Sequence, residues 1–338
     1  MLTILAAIFV FGVLVTVHEF GHFITAKLTG MTVYEFAIGF GPKLYQHEEG
    51  GTEYTLRAIP LGGFNNIAGM DPDEPLEEGS FRSKSIPARM LVILAGSLMN
   101  FILPIVLFTG IFFVQGQQVP INEPIIGTVV ADAAADRAGI KPGDKILAIN
   151  GKDIASWNDI IAILRNNGTN TVQLTALSEG QVKSYTMEPV YDRNYNRALI
   201  GITAKSEHRS YSLGESFIMG FEHTKYVATA MVDGLRRIVT GREAPNLAGP
   251  IGVAQMAGKE AEKGVLNLIQ FVAFLSINLG IINLLPLPAL DGGHFILLCL
   301  EALRGKPLGS DAMYNIQKVG IALILALTLF TTFKDITR

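Results

Sequence analysis

Four long apolar stretches punctuate the chain: Leu2 to about Ala26, Met90 to Val114, Val265 to Leu290, and about Ile316 to Phe333. A helix needs about 20 apolar residues to cross the hydrocarbon core of a bilayer, so each stretch predicts a membrane-spanning helix. The first begins without a basic n-region and ends without a small-residue cleavage site, which predicts a retained span. The fourth is the shortest and carries Lys318 near its start, where a long side chain snorkels to the interface.

Between the second and third stretches the period changes. Short β-like runs separated by turns occupy Val119 to about Ala204: Ile125 to Val130, Lys145 to Ile149, Thr171 to Leu177, Val182 to Met187 and Leu199 to Ile202. Ser156 and Asp159 predict a capping box opening a helix through Leu164, with Gly168 ending it. From Leu213 to Ile238 apolar residues such as Phe217, Phe221 and Val227 recur at helical spacing opposite Glu215, Glu222, Lys225 and Asp233. That pattern predicts an amphipathic helix lying on a membrane face. Between the first two spans, Thr32 to Phe40 and Thr52 to Ile59 predict a hairpin turned at Gly50 and Gly51, followed by an acidic loop from Asp71 to Gly79.

The expected architecture is therefore an α-helical polytopic membrane protein with four transmembrane helices, a membrane-associated β-hairpin and an inserted α+β domain. Its expected divisions are 1–114 (two spans and the hairpin), 115–204 (the β-rich domain), 205–263 (the amphipathic region) and 264–338 (two spans). Composition agrees with a lipid environment: 49% of residues are hydrophobic and 17% charged, against about 25% charged in a soluble domain. A net charge of -3 and the absence of a basic stripe interleaved with aromatics exclude nucleic acid as a partner. Cys299, the single cysteine, has no partner for an intramolecular disulfide. Lysine and arginine cluster between spans one and two (Lys27, Lys43, Arg57, Arg82, Lys84, Arg89) and between three and four (Arg304, Lys306). Both short loops are thus expected in the cytoplasm, and residues 115 to about 263 with both termini outside it.

The chemistry concentrates in His18-Glu19-Phe20-Gly21-His22. On a helix, positions i and i+4 share a face, so two imidazoles reach one zinc ion while the glutamate meets the water that the ion activates. Charged side chains at the centre of a bilayer each cost on the order of 2.5 to 3.5 kcal/mol, and a metal supplies the partner that such residues need. The bland alternative is a polar cluster between helices. Catalytic zinc takes three protein ligands and keeps one position open. Asp291, the only carboxylate between Glu262 and Glu301, is the best third candidate. His294 is a rival ligand or an outer partner, and a helix cap is the bland reading of Asp291. His47, His208 and His223 are expected at solvated surfaces.

HExxH in the first span, paired with Asn283-Leu284-Leu285-Pro286-Leu287-Pro288-Ala289-Leu290-Asp291-Gly292 in the third, resembles the site-2 protease family, in particular its bacterial regulator-of-sigma-E type. Gly39-Phe40-Gly41-Pro42, Ile59-Pro60-Leu61-Gly62-Gly63, Gly96-Ser97-Leu98-Met99-Asn100-Phe101 and Asn246-Leu247-Ala248-Gly249-Pro250-Ile251-Gly252 extend the resemblance over essentially the whole chain. The resemblance implies an intramembrane zinc metalloprotease of the bacterial cytoplasmic membrane, with His18, His22 and Asp291 on zinc and Glu19 as general base. It implies that Asn283 and Pro286 help hold the substrate strand, where a helix-helix hydrogen bond is the alternative for Asn283. It also implies that the free hairpin edge pairs with an unwound substrate. The expected partners are the bilayer and single-span membrane proteins of the anti-sigma factor or remnant signal peptide type.

Ala138 to Gly151, in the stretch expected outside the cytoplasm, is similar to bacterial PDZ domains, and the resemblance implies a peptide groove at Ile200-Gly201-Ile202. The room between Val114 and Leu213 fits one such module, where the best-known relatives of this type have two. The module either filters substrates by the size of their outer part or recruits them by a new C-terminus. Two other classes stand beside the protease. A catalytically silent PDZ receptor would need a broken zinc constellation, and a zinc transporter would string ligands along a pore.

Overall fold

The computed structural model describes residues 1–71, 73–192, 197–244 and 248–337. The first apolar stretch is α1 (Leu2–Leu28), which stops where the Thr29 amide bonds back to Thr25 O and Gly30 turns at φ 70°. β1 (Val33–Glu49) and β2 (Thr52–Ile67) then form one antiparallel hairpin through Gly50 and Gly51, both at positive φ. The predicted strands ended at Phe40 and Ile59, so the hairpin is longer than expected. Residues 40–49 of β1 are exposed throughout, and the register shifts at several points between Val33 and Tyr45 before running regularly to Glu49. With no buried face there, no period-2 pattern is imposed on the sequence. α2 (Ile86–Gln115) follows, with Pro104 inside it.

The next 97 residues make a unit of their own, Gln115–Tyr211. Its strands are β3 (Gln117–Pro120), β4 (Ile126–Val129), β5 (Lys145–Ile149), β6 (Lys152–Asp153), β7 (Val172–Ser178), β8 (Gln181–Met187), β9 (Val190–Asp192), β10 (Arg197–Leu199), β11 (Ile202–Ala204) and β12 (Ser206–Arg209). The short α3 (Ala134–Arg137) and α4 (Trp157–Asn167) interrupt them. β6-β5-β7-β8 is an antiparallel sheet, while β4 pairs β11 and β3 pairs β12. α4 opens with the predicted capping box of Ser156 and Asp159 and closes on Gly168. Because its carboxylate accepts from the Ser156 hydroxyl and amide, Asp159 titrates below the usual aspartate range. The core is aliphatic: Ile126, Ile146, Ile149, Ile160, Val172, Leu174 and Ile200. The strand predicted over Leu199 to Ile202 is instead two strands split at Ile200-Gly201. Gly201 sits at φ 83°, and a Cβ there would overlap Ala133.

The other unit joins Met1–Val114 to Ser212–Arg338. Its second part holds α5 (Leu213–Val239), α6 (Pro250–Lys263), α7 (Val265–Asn283), α8 (Asp291–Arg304) and α9 (Ser310–Thr337). α5 is the expected amphipathic helix and starts at a Ser212/Glu215 capping box. The third apolar stretch was predicted to run helical to Leu290, but α7 ends at Asn283. Pro286 and Pro288 cannot continue it: proline lacks the amide donor and disfavours helix in the preceding residue. α6 and α8 carried no prediction. α6 begins where Asp335 accepts from the amides of Gly249 and Gly252, at 3.1 and 2.8 Å; Asn246 and Leu247 of the same motif lie outside the described residues. Among the described residues, α1, α2, α7 and α9 are the helices long and apolar enough to cross a membrane.

Three packing clusters place these helices. Phe23 and Ala26 of α1 meet Val33, Phe36 and Ile67 of the hairpin, Val92 and Ile93 of α2, and Leu298 of α8. Val10 and Leu14 of α1 meet Ala257 of α6 and Val272 of α7. Phe108 and Ile111 of α2 meet Ala273 and Ile277 of α7, with Val227 and Met231 of α5 alongside. The first cluster fixes the half of α1 that carries the polar residues.

Candidate metal centre

About one helical turn of α1 brings His18 and His22 to one face, and their Nε2 atoms lie 3.3 Å apart. α8 starts with Asp291 beside them. Its Oδ2 is 3.6 Å from His18 Nε2 and its Oδ1 3.6 Å from His22 Nε2. A tetrahedral zinc with bonds of about 2.0–2.1 Å holds its ligand atoms about 3.3–3.4 Å apart. With one ligand atom from each, the three side chains lie within 4.8 Å of one another, and they are the grouping among the described residues that can hold an ion. Glu19, Asn283 and His294 line the same cavity of about 300 Å³. Asp291 is one of the three grouped residues and His294 is not. Asp291 is not the helix cap either, since Leu290 holds that place.

The approach of these elements depends on residues without side chains. A Cβ on Gly96 of α2 would overlap His22 Nε2, and one on Gly21 of α1 would overlap Ala95 O. A Cβ on Gly292 would overlap Leu284 O and Leu285 O, and one on Gly293 would overlap Leu287 O. These glycines let loop 284–290 fold back onto the start of α8 and set Asp291 against α1. Ala289 in that loop turns at φ 69°.

A second layer of hydrogen bonds orients the three. His22 Nδ1 donates to Val92 O at 2.8 Å, which leaves the Nε2 lone pair pointing inward. Ser97 Oγ donates to Asp291 Oδ2 at 2.7 Å. The Asn100 amide sits 3.1 Å from His18 Nδ1, and its Oδ1 is buried with no partner among the described residues. The two amide orientations are alike in shape. The one that turns Oδ1 toward Nδ1 pairs that oxygen, gives His18 the Nδ1–H tautomer and frees Nε2 for a metal. Asn100 is itself fully buried, and its carbonyl accepts from Ser276 Oγ at 2.8 Å. Asn283 ends α7 with Nδ2 3.5 Å from His18 Nε2, and Pro286 follows in the loop.

Sequence reasoning did not assign Asn65, Ser97 or Asn100 individually, though Ser97 and Asn100 fall in a quoted motif. Their partners lie 46 to 194 residues away, beyond any local pattern. The expected PDZ groove residues Ile200, Gly201 and Ile202 belong to the other unit. Ile200 is 2% exposed and belongs to that unit's core. His223, expected in solvent, is half-buried with its ring 4.5 Å from that of Phe108, edge to face.

The chain belongs to peptidase family M50, whose sequence profile matches residues 6–327. Zinc metalloprotease RasP of Geobacillus kaustophilus is 33% identical over 99% of this chain and 98% of its own. Regulator of sigma-W protease RasP of Bacillus subtilis is 31% identical over the same shares. Among solved structures, the PDZ domain of an SdrC-like protein of Listeria monocytogenes aligns with 26% of this chain and 93% of its own at 20% identity and TM-score 0.23. The enzyme class follows from the family: this is a zinc metalloprotease, and its four apolar helices fit a membrane protein.

Proposed function

We propose that the chain is an intramembrane endopeptidase that cuts single-span membrane proteins as a step in regulated proteolysis. The observation that carries this reading is a trio of His18, His22 and Asp291 close enough to share an ion, with Glu19 beside it, the two histidines and Glu19 lying on a helix, α1, that is apolar enough to lie in lipid. A glutamate and two imidazoles inside such a helix are costly unless a site uses them. The donor set of two neutral imidazoles and one carboxylate is the kind that catalytic zinc takes. When bound there, zinc polarises the scissile carbonyl and acidifies the attacking water.

The remaining work falls to the chain. Glu19 takes the proton from the attacking water and returns it to the leaving amine. Asn283 and the proline-containing loop 284–290 border the peptide, which must be unwound to present its carbonyl. Unwinding in an apolar setting leaves backbone groups unpaired at several kcal/mol each, and an amide side chain offers both a donor and an acceptor to them. The long hairpin offers an edge that an extended peptide can join.

The substrate class is inferred from the similarity to a protease named for regulating sigma-W, which points to single-span anti-sigma factors. The cytoplasmic side of the cavity and the outer placement of Gln115–Tyr211 follow from the lysine and arginine of the short loops. A PDZ-like module there acts by admitting or refusing substrates. The test is Glu19→Gln in purified protein. Zinc should remain near one per chain while cleavage of a membrane-spanning reporter falls by a factor on the order of 10² to 10⁴; undiminished turnover would remove Glu19 from the mechanism.

A further inference from the structure

β2 contributes Phe64, Asn65 and Ile67 to the wall of the cavity that holds the trio and Glu19. The strand comes this close because residue 63 is glycine: a Cβ there would stand 2.6 Å from Ala37 O and 3.3 Å from Glu19 Cγ. Residue 65 lies two further along and so returns to the same face of the strand. Its Nδ2 donates to the Glu19 carbonyl at 2.8 Å and to Glu19 Oε2 at 2.7 Å. One nitrogen thus ties the carboxylate to the backbone of the helix that carries it. The torsion of a glutamate carboxylate is otherwise broad, and this clamp leaves Oε1 as the oxygen free to take a proton.

The orientation of the Asn65 amide is set by its partners. Reversed, it would press Oδ1 against two acceptor oxygens. Held as it is, Oδ1 is shielded from solvent and has no partner among the described residues. A buried acceptor left open beside a cavity is suited to a donor that arrives with the ligand, and an unwound peptide brings backbone N–H groups in need of acceptors.

We propose that Asn65 is the positioning residue of the general base, and that its Oδ1 accepts a backbone N–H of the peptide near the scissile bond. This rests on the reading of Glu19 as the base. The hairpin then has two roles at one residue: its side chain holds the proton acceptor and registers the substrate.

Asn65→Val and Asn65→Asp test it, with zinc content, kcat, KM and peptide affinity measured on the purified full chain. The probe is a synthetic single-span peptide in detergent. Both variants should keep about one zinc per chain, and kcat should fall by a factor on the order of 10 to 10² in Asn65→Val. The fall should be larger in Asn65→Asp, which keeps the shape but loses the N–H donors and adds a like charge. In a Glu19→Gln background that cannot cut, the peptide should bind more weakly when Asn65 is replaced by Val. Substituting esters for single backbone amides around the scissile bond should reveal one position that weakens binding to Asn65 protein and leaves binding to Asn65→Val unchanged. A kcat within about twofold in both variants with zinc retained, or the same ester sensitivity at every position in both proteins, would overturn the proposal. If Asn65→Val loses its zinc, Asn65→Asp alone decides, and normal turnover there is again contrary. Active Glu19→Gln would instead strike the base itself, so the two failures are distinguishable.

Discussion

In the Gln115–Tyr211 unit the largest fully buried side chains are aliphatic, Ile126, Ile146, Ile149, Ile160, Leu174 and Ile200, with Asp144 and Ser178 as its buried polar positions among the described residues. Between α1, α2 and α8 the buried positions instead include Arg89, Ser97 and Asn100. The first interior is specified by period and volume, and several aliphatic residues of similar size would serve at each place. The second is specified by closeness and by pairing. Lipid is as apolar as leucine, so helices in it gain little by hiding leucine from their surroundings, and small residues and hydrogen bonds hold them together. Arg89 shows the pairing demand: its guanidinium meets Glu301 through two bonds at 2.6 and 3.1 Å, joining α2 to α8.

Four substitutions would break or sharpen that contrast. The largest effect is expected from Gly96→Val, where a side chain must occupy the place of the His22 ring. Zinc should fall well below one per chain and cleavage should be lost, while helical circular dichroism is preserved; retained zinc would show that α2 can move away at little cost. Next come Asp291→Ala and His294→Ala. The first should lower both zinc content and activity, since the third ligand is gone. The second should leave the metal bound at neutral pH, and the reverse outcome would give the ligand position to His294. The smallest effect on chemistry should follow Ile149→Ala in the other interior. Removing a buried isoleucine costs about 2–5 kcal/mol, so hydrogen exchange in β5 and β7 should quicken. Zinc content should not change, and a change there would mean that the two interiors are coupled.

Much of the plan was legible before any coordinates. The spans of α1, α2 and α9 show as apolar runs, and the capping box at Ser156 and the helix from Leu213 show as local patterns. His18, Glu19, His22 and Asp291 could be named because each belongs to a compact motif. Misreadings arose where the local signal had a different cause. The third span was drawn seven residues too long because 284–290 is apolar, although the chain there is a loop buttressing the site. The first hairpin strand was drawn too short because its exposed stretch, 40–49, obeys no alternation. Ile200 and Ile202 were grouped in one strand because a β-like run conceals the turn that Gly201 makes.

By itself, then, the chain of residues determined that two imidazoles and a carboxylate would ride one apolar helix, that four helices would be long enough to span a bilayer, and that an alternating module would fold between them. Periodicity and side-chain type act over a few residues, and these features need no more than that. Only the tertiary structure decided that Gly96 leaves room for the imidazoles, that Ser97 grips Asp291 and Asn100 faces His18, and that Asn65 clamps Glu19 from a strand 46 residues away. The reason is physical: a hydrogen bond needs both partners within about 3 Å. Which distant atoms come that close is a property of how the helices and the hairpin pack, and no segment carries it alone.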